Sequence, residues 1–209
     1  MPVKSDREYR RIDVQNIEAR ADGDAKIVEG YATTFDQEYQ LYDSGDYRVV
    51  EKIARGAFDN TIMDDVIMQY DHEGRVFARV KNNTLQLSID DHGLKIRADL
   101  GGTEIGRQLY EEILGGYTDK MSFGFTVAKD ERTEERDNEA NKTTIHRTIT
   151  EIKKLYDVSA VSIPANDATE ISARSYSDGV IAAAREEIAA LEERKRKIQK
   201  IRLMMEAKK

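Results

Sequence analysis

The sequence contains no cysteine and no apolar run long enough to cross a membrane. Without cysteine the chain has no disulfide, no thiolate nucleophile and no cysteine-based zinc site, which is consistent with a reducing compartment. A membrane helix needs roughly 18 or more apolar residues. Residues 1–7 are polar, where a secretory signal would carry its apolar core. We therefore expect the protein to remain in a cytoplasm, with no membrane partner.

Histidine is also scarce, with three residues among 209, and this scarcity limits metal sites and enzyme classes. His72 is followed by Glu73, but Val76 stands where the zinc motif His-Glu-x-x-His requires a second histidine. The sequence also has no glycine-rich phosphate-binding loop, which argues against an NTPase. We expect neither a metal nor a cofactor.

Charge is unevenly distributed along the chain. The net charge is −7, but residues 191–209 hold eight Lys or Arg and three Glu, a balance of +5 that leaves −12 on the rest. A body this acidic is expected to repel nucleic acid, which we therefore do not expect as a partner. We interpret the basic tail as the solvated face of a helix.

Residues 84–100 carry the clearest signal of secondary structure. Polar and apolar residues alternate over 84–90 and again over 94–100, around the turn sequence Asp91-His92-Gly93. Because this period is typical of strands with one buried face, we predict an antiparallel hairpin with His92 at its exposed tip. The buried face is expected to carry Leu85, Leu87, Ile89, Leu94, Ile96 and Ala98.

A helix is predicted to follow this hairpin. Thr103 is a suitable N-cap, Ile105, Leu109 and Ile113 recur four residues apart, and Gly115-Gly116 is a typical end. These features place one central helix in a chain that otherwise favours strands.

The remaining patterns predict strands separated by polar segments. Residues 37–47 are predicted as an exposed loop, 59–65 as a short helical turn, and the charged run 130–142 as a mobile loop. The fold class is therefore α+β, with a closed or nearly closed sheet and one central helix. Further strands are predicted at residues 9–19, 27–35, 48–53, 66–70, 121–128, 143–152 and 155–163.

From about residue 178 the hydrophobic period changes to seven. The apolar stripe consists of Ala184, Leu191, Ile198 and Met205, with Ile188 beside it. A coiled coil needs apolar residues at two positions of each heptad, and the second position holds Lys195 and Arg202. The apolar stripe is therefore too narrow for a self-sufficient coiled coil. We predict a long C-terminal amphipathic helix that docks on, or exchanges with, a partner.

Ser122 and His72 form a candidate nucleophile and base. Ser122 begins a short apolar strand, and His72 ends the predicted strand 66–70. A serine hydroxyl needs a positioned base to lose its proton, and imidazole, with an ordinary pKa of about 6.5, suits that role. Spacing alone does not single out this pair, because the chain has nine serines.

Five motifs occur in a fixed order along the chain. They are Gly30-Tyr31-Ala32 with Phe35, Gly56-Ala57-Phe58, Asp71-His72, residues 121–125 and residues 158–166. In order and spacing this series resembles the prohead, or capsid maturation, proteases of tailed phages. The resemblance covers about residues 8–175 and implies a serine peptidase with a small β-barrel and packed helices, similar to the herpesvirus assembly proteases.

The resemblance implies a role for individual residues. Ser122 takes the nucleophile position, His72 the histidine position, and Asp157 the acidic position, where the family usually has Glu. His146 is the alternative third member, because the herpesvirus enzymes use a second histidine. We prefer Asp157, since an anion both orients imidazole and stabilises imidazolium.

Phe123 and Gly124 follow the candidate nucleophile and are assigned to the vicinity of the substrate and the oxyanion. Gly124 lacks a Cβ and would let a substrate approach the backbone closely. The same glycine is also typical of a strand bulge, and the sequence leaves both interpretations open.

We divide the chain into a protease domain at 1–173, a linker at 174–179 and an amphipathic helix at 180–209. The resemblance implies a serine endopeptidase that cleaves major capsid or scaffold protein, and itself, inside the immature capsid in the bacterial cytoplasm. It also implies a homo-oligomer or co-assembly in the prohead, with a scaffold-like and removable tail. The alternative is a non-catalytic capsid scaffold or assembly chaperone. The acidic body and the charged helix would suffice for such a role, which needs no catalytic residues.

Overall fold

A computed structural model describes residues 7–12, 17–22, 25–43, 45–162, 193–194, 196–200, 202 and 204. The described residues between 7 and 162 include eleven strands, one α-helix and two 3₁₀ turns, at Arg55–Phe58 and Val80–Asn82. The β-rich, α+β character is as predicted. The strands are β1 Glu8–Ile12, β2 Ile17–Asp22, β3 Ala25–Thr34, β4 Tyr39–Asp43, β5 Tyr47–Ile53, β6 Ile67–Tyr70, β7 Glu73–Arg79, β8 Leu85–Ile89, β9 Gly93–Asp99, β10 Lys120–Asp137 and β11 Lys142–Val161.

The described strands form two sheets rather than the one closed or nearly closed sheet that we expected. One sheet is antiparallel, with the order β2-β3-β9-β8. The other has seven strands in the order β1-β10-β11-β5-β4, with β6 beside β11 and β7 beside β6. Side chains from both sheets meet in one hydrophobic core, whose members include Val28, Ile96, Met68, Phe123 and Leu155.

The hairpin predicted at 84–100 is confirmed as β8 and β9. Leu85 pairs with Ala98, Leu87 with Ile96, and Ile89 with Leu94. This register puts all six predicted apolar side chains on one face. Leu87 is only partly buried, and Ile89 has 44% of its surface exposed at the end of the strand.

The predicted helix is confirmed as α1, Glu104–Leu114. The Thr103 hydroxyl accepts a hydrogen bond from the Gly106 backbone N–H at 3.0 Å, and the helix ends at Gly115. Leu109 and Ile113 are buried, so the four-residue spacing identified the packed face correctly.

Strands β10 and β11 correct two predictions about residues 121–163. The charged segment 130–142, expected as a mobile loop, forms the far arm of a long antiparallel hairpin. The two strands predicted at 143–152 and 155–163 are one continuous strand, β11. Alternate residues of β11 from Thr143 onward are buried, so this arm supplies the apolar contacts that the charged strand opposite lacks.

Three further predictions are wrong in detail. Residues 37–47 contain strand β4, which pairs with β5 at the edge of its sheet and has no fully buried residue. Residues 9–19 contain parts of two strands, β1 and β2, which belong to different sheets. The helical turn expected at 59–65 lies earlier, at Arg55–Phe58. Strand β7 was not predicted.

The chain divides into two compact units, Met1–Ala168 and Thr169–Lys209. In the second unit the described positions between 193 and 204 are helical. The predicted linker at 174–179 and most of the helix predicted at 180–209 lie outside the described residues, so these boundaries stay predictions. Within the described part of the chain, no helix is long and apolar enough to span a bilayer.

A buried ion cluster fastens β1 to the middle of the seven-stranded sheet. Glu51 on β5 is fully buried and accepts hydrogen bonds from Arg10 on β1 and from Arg147 on β11, the latter at 2.7 Å. Glu8 on β1 accepts hydrogen bonds from Arg147 at 2.7 and 3.0 Å. The hydroxyl of Tyr39 donates to Glu51 at 2.5 Å. Every charge in this interior group therefore has an opposite charge beside it.

The cluster also shifts ionisation. Burial raises the pKa of Glu8, but the hydrogen bond from Arg147 and the charges of Arg10 and Arg147 outweigh it and hold that pKa below the ordinary 4.5. The resulting stabilisation is complete above pH 4.5 and is lost as the pH falls through the lower pKa of the folded state.

Replacing Glu51 with glutamine should strongly destabilise the fold. The change keeps the shape of the side chain but leaves Arg10 and Arg147 without their shared buried carboxylate. Loss of one partner from a buried ion pair costs about 3–5 kcal/mol. Urea denaturation measures this change in the free energy of unfolding.

The control is Glu111→Gln, which removes an exposed carboxylate 3.3 Å from Lys26 Nζ. We expect that change to cost less than about 1 kcal/mol, as for other surface pairs. Equal effects of the two substitutions would show that the cluster does not stabilise the fold.

Candidate active site

His72 is positioned by a two-residue turn between β6 and β7. Asp71 and His72 have positive φ angles of 48° and 61°, as in the type I′ turns that join tightly paired strands. Left-handed backbone costs a non-glycine residue roughly 1–2 kcal/mol. The Asp71 backbone N–H donates to the Ala160 carbonyl at 3.0 Å, and the Asp71 carboxylate accepts from the Ser162 hydroxyl at 3.0 Å. These bonds fix the turn against the end of β11.

Ser122 and Asp157 are positioned by the register of β10 and β11. Ser122 pairs with Ser159, and Gly124 pairs with Asp157. Because side chains alternate along a strand and directly paired residues share a face, Ser122, Ser159 and Asp157 project from the same face of the sheet.

The imidazole of His72 joins Ser122 to Asp157. Its Nδ1 is hydrogen-bonded to the Asp157 carboxylate, and its Nε2 lies 2.5 Å from the Ser122 Oγ. A carboxylate only accepts, so Nδ1 donates, and in the neutral ring Nε2 is then the unprotonated acceptor that faces the hydroxyl. This arrangement allows His72 to remove the Ser122 proton while Asp157 stabilises the resulting imidazolium.

His146 lies elsewhere. It precedes Asp157 by eleven positions on the same strand, and at about 3.3 Å per residue this separation excludes contact with the Ser122 group. Its Nδ1 is 3.0 Å from a Glu38 carboxylate oxygen, and 29% of its side chain is exposed. The structure therefore brings together Ser122, His72 and Asp157 and leaves His146 outside. The catalytic roles of these residues remain predictions.

Two neighbours of His72 were missed from the sequence. The Ser159 hydroxyl lies 3.2 Å from His72 Nδ1 and donates to Asp157 at 3.3 Å. Its position two residues after Asp157 on one strand was an available signal for a shared face. The Tyr9 ring contacts the His72 ring edge-on, with 4.5 Å between centroids. That contact joins a residue of β1 to the turn between β6 and β7, and no local pattern predicts it.

Gly124 is required by the close approach of Asp157. A Cβ at this position would lie 2.4 Å from Asp157 Oδ1 and 2.8 Å from the Tyr9 ring. The strand register also shifts directly after Gly124, which agrees with the bulge interpretation. The Phe123 side chain is buried in the core and stacked on Phe125, so only its backbone belongs to the site.

One oxygen of the site lacks a hydrogen bond. Asp157 Oδ1 is buried without a hydrogen-bond partner among the described residues, and Arg7 Nη1 is 3.8 Å away. The same part of the chain contains no group of three or more His, Asp or Glu side chains arranged to hold a metal ion.

Comparisons with known proteins relate the chain to phage proteases. A family model described as caudovirus prohead serine protease matches residues 11–180. The prohead protease of Enterobacteria phage HK97 is 30% identical over 172 residues, which cover 80% of this chain and 68% of that protein. The bacteriophage T4 capsid assembly protease matches with a TM-score of 0.42 and 11% identity, over 74% of this chain and 95% of that chain.

Replacing Gly124 with alanine should displace Asp157 from His72. The new methyl group would overlap Asp157 Oδ1, and both strands would have to shift to relieve the contact. Overpacking of this kind costs typically about 1–3 kcal/mol. Thermal unfolding of the variant measures the loss.

Gly102→Ala is the matched control, because a Cβ at Gly102 would meet no atom within 4 Å. We expect it to unfold within a few degrees of the wild type. A Gly124→Ala protein as stable as this control would contradict the close packing of Gly124 against Asp157.

Proposed function

The chain belongs to the caudovirus prohead serine protease family, and on that basis we propose that it is a serine endopeptidase of prohead maturation. Its proposed substrates are scaffold protein, capsid protein or both, and the chain itself. The observation that carries this proposal is the His72 ring, hydrogen-bonded to both Ser122 and Asp157. No other histidine of the described chain has a serine hydroxyl and a carboxylate on its two nitrogens.

The proposed reaction proceeds through an acyl-enzyme. As the Ser122 Oγ attacks a peptide carbonyl carbon, His72 Nε2 takes the hydroxyl proton. It then gives this proton to the departing amine. Water then attacks the Ser122 ester, with His72 again moving the proton. Asp157 holds Nδ1 protonated throughout and stabilises the positive ring in each transition state.

The backbone near Phe123 and Gly124 is our proposed oxyanion vicinity. A negative oxygen develops beside Ser122 during attack, and amide N–H groups directed at it are typically worth about 10²–10³ in rate each. The bulge after Gly124 breaks the regular strand register next to the nucleophile. This irregularity lies on the β11 side of β10, and the opposite edge of β10 at these residues is paired with β1.

The family resemblance adds a finer description of the fold. We infer that the two sheets around one core correspond to the small barrel of the herpesvirus assembly proteases, with α1 packed against β2 and β3. The proposed location is the interior of the immature capsid in the bacterial cytoplasm. There the protease would co-assemble with capsid or scaffold protein or with further copies of itself. The tail at 180–209 would serve in this co-assembly and be removed by self-cleavage.

Ser122→Ala should abolish proteolysis while leaving the fold intact. Removing one hydroxyl takes away the nucleophile and deletes no apolar packing. We would incubate wild-type and variant chains alone and with their major capsid or scaffold partner, and record intact masses. Defined fragments, including loss of the tail, should come from the wild type alone.

Fragments that persist in Ser122→Ala would remove Ser122 from the reaction. A wild-type chain that produces no fragments with either partner would favour the alternative of a non-catalytic scaffold or assembly chaperone.

Asp157→Asn and His146→Ala should show which of the two residues is the catalytic partner of Ser122 and His72. An amide in place of Asp157 no longer holds Nδ1–H of His72 or stabilises the positive ring, so cleavage should slow by about 10³–10⁴. His146→Ala should cleave within a few-fold of the wild-type rate. The measurement is the rate of fragment formation in matched folded samples. A severe loss in His146→Ala, with Asp157→Asn nearly unaffected, would reverse the assignment.

A further inference from the structure

The candidate nucleophile is entirely covered. Ser122 has no exposed surface, although a serine that attacks a polypeptide must be reached by it. On one side β10 pairs with β11, and on the other it pairs with β1 from the start of the chain. In this pairing Arg11 lies directly opposite Ser122. The edge of β10 beside the nucleophile is therefore occupied by a strand of the same chain.

The backbone of β1 competes for the proton that the reaction must move. The Ser122 hydroxyl donates to the Arg10 carbonyl oxygen at 2.8 Å, and its oxygen also lies 2.5 Å from His72 Nε2. A hydroxyl has one hydrogen. The Arg10 carbonyl and His72 Nε2 therefore compete for this one hydrogen.

The same segment also contacts the other two members of the site. Tyr9 places its ring against the His72 ring, with 4.5 Å between centroids. Arg7 lies 3.8 Å from Asp157 Oδ1, the buried oxygen without a hydrogen-bond partner in the described chain. A run of four residues thus contacts nucleophile, base and acid together.

The buried ion cluster fastens this segment in place. Glu8 and Arg10 are the β1 members of the cluster, and Arg147 and Glu51 are its members on β11 and β5. Charge-assisted hydrogen bonds of this kind are stronger than the neutral bonds of a strand ladder. These hydrogen bonds involve only four side chains, however. A competing strand or a change in assembly could therefore release β1 by breaking this small set of contacts.

We propose that β1 is an autoinhibitory strand that occupies the position of an extended substrate polypeptide along the edge of β10. This proposal rests on the proposed function and adds that the protease is inactive while β1 is paired with β10. Extended peptides commonly bind by adding a strand to a free sheet edge, where main-chain hydrogen bonds hold them. Cleavage requires β1 to leave, which frees the Ser122 proton and opens the edge to a polypeptide.

The test weakens the ion cluster that holds β1 and leaves Ser122, His72 and Asp157 unchanged. Glu8→Gln removes the β1 charge that pairs with Arg147. Glu18→Gln makes the same change on β2, at an exposed carboxylate 3.8 Å from Arg20. Two rates are measured on the full chain: amide hydrogen exchange in β1, and modification of Ser122 by a fluorophosphonate. In that modification the Ser122 oxygen displaces fluoride from phosphorus and His72 accepts the proton.

We expect both rates to rise about tenfold or more in Glu8→Gln, because the carboxylate that accepts charge-assisted hydrogen bonds from Arg10 and Arg147 is lost. Both rates should stay within about twofold of wild type in Glu18→Gln. Faster exchange in β1 with an unchanged rate at Ser122 would overturn the proposal while leaving the nucleophile intact. Unchanged exchange would overturn it as well, since β1 would then be a fixed part of the sheet.

The two readouts also separate this proposal from the proposed function. Exchange needs no chemistry, so faster exchange with no modification of Ser122 in any variant would contradict the serine mechanism and the proposal together. Loss of folding in Glu8→Gln would appear as fast exchange in every strand, and the milder variant Glu8→Asp would then repeat the comparison.

Discussion

The site depends on one imidazole ring that makes two hydrogen bonds in opposite directions. His72 reaches Ser122 with one nitrogen and Asp157 with the other, and both bonds must be satisfied by a single ring position. This requirement constrains the backbone around the site. Asp71 and His72 adopt left-handed φ angles, and position 124 must be glycine because a Cβ there would overlap Asp157. Strain of this kind persists where the surrounding structure over-determines it, here through the bonds from Asp71 to the end of β11.

The second organising feature is the buried charge cluster around Glu51. Ionic groups in a protein interior are weak contributors to net stability, because desolvation offsets most of their attraction. Their value is specificity of position, and here the position specified is that of β1 over the nucleophile. The same cluster that aligns the first strand therefore also controls access to Ser122 under our proposal. A fold held by apolar contacts alone would have no comparable means of releasing one strand and keeping the rest.

Sequence patterns predicted the structure well where local rules dominate. The β8 and β9 hairpin followed from alternation, and α1 from its cap and four-residue spacing. They failed where a segment is a strand because it hydrogen-bonds to a neighbouring strand, although its own residues are polar. Examples are β4 and the charged arm of β10. Ser122, His72 and Asp157 were named through the order of motifs, since no periodicity relates residues in two strands and a turn. Ser159 was within reach of the alternation rule, whereas the covering of Ser122 by β1 depends on long-range pairing that local patterns do not encode.

The most direct test of the account is the protonation of the His72 ring, measured by NMR with ¹⁵N-labelled histidine. The chain has three histidines, so substitution of each assigns the signals. We predict that neutral His72 carries its proton on Nδ1, in a strong hydrogen bond whose far-downfield resonance disappears in Asp157→Asn and remains in His146→Ala. A neutral His72 with the proton on Nε2, or a resonance unaffected by Asp157→Asn, would contradict the arrangement on which the site is built.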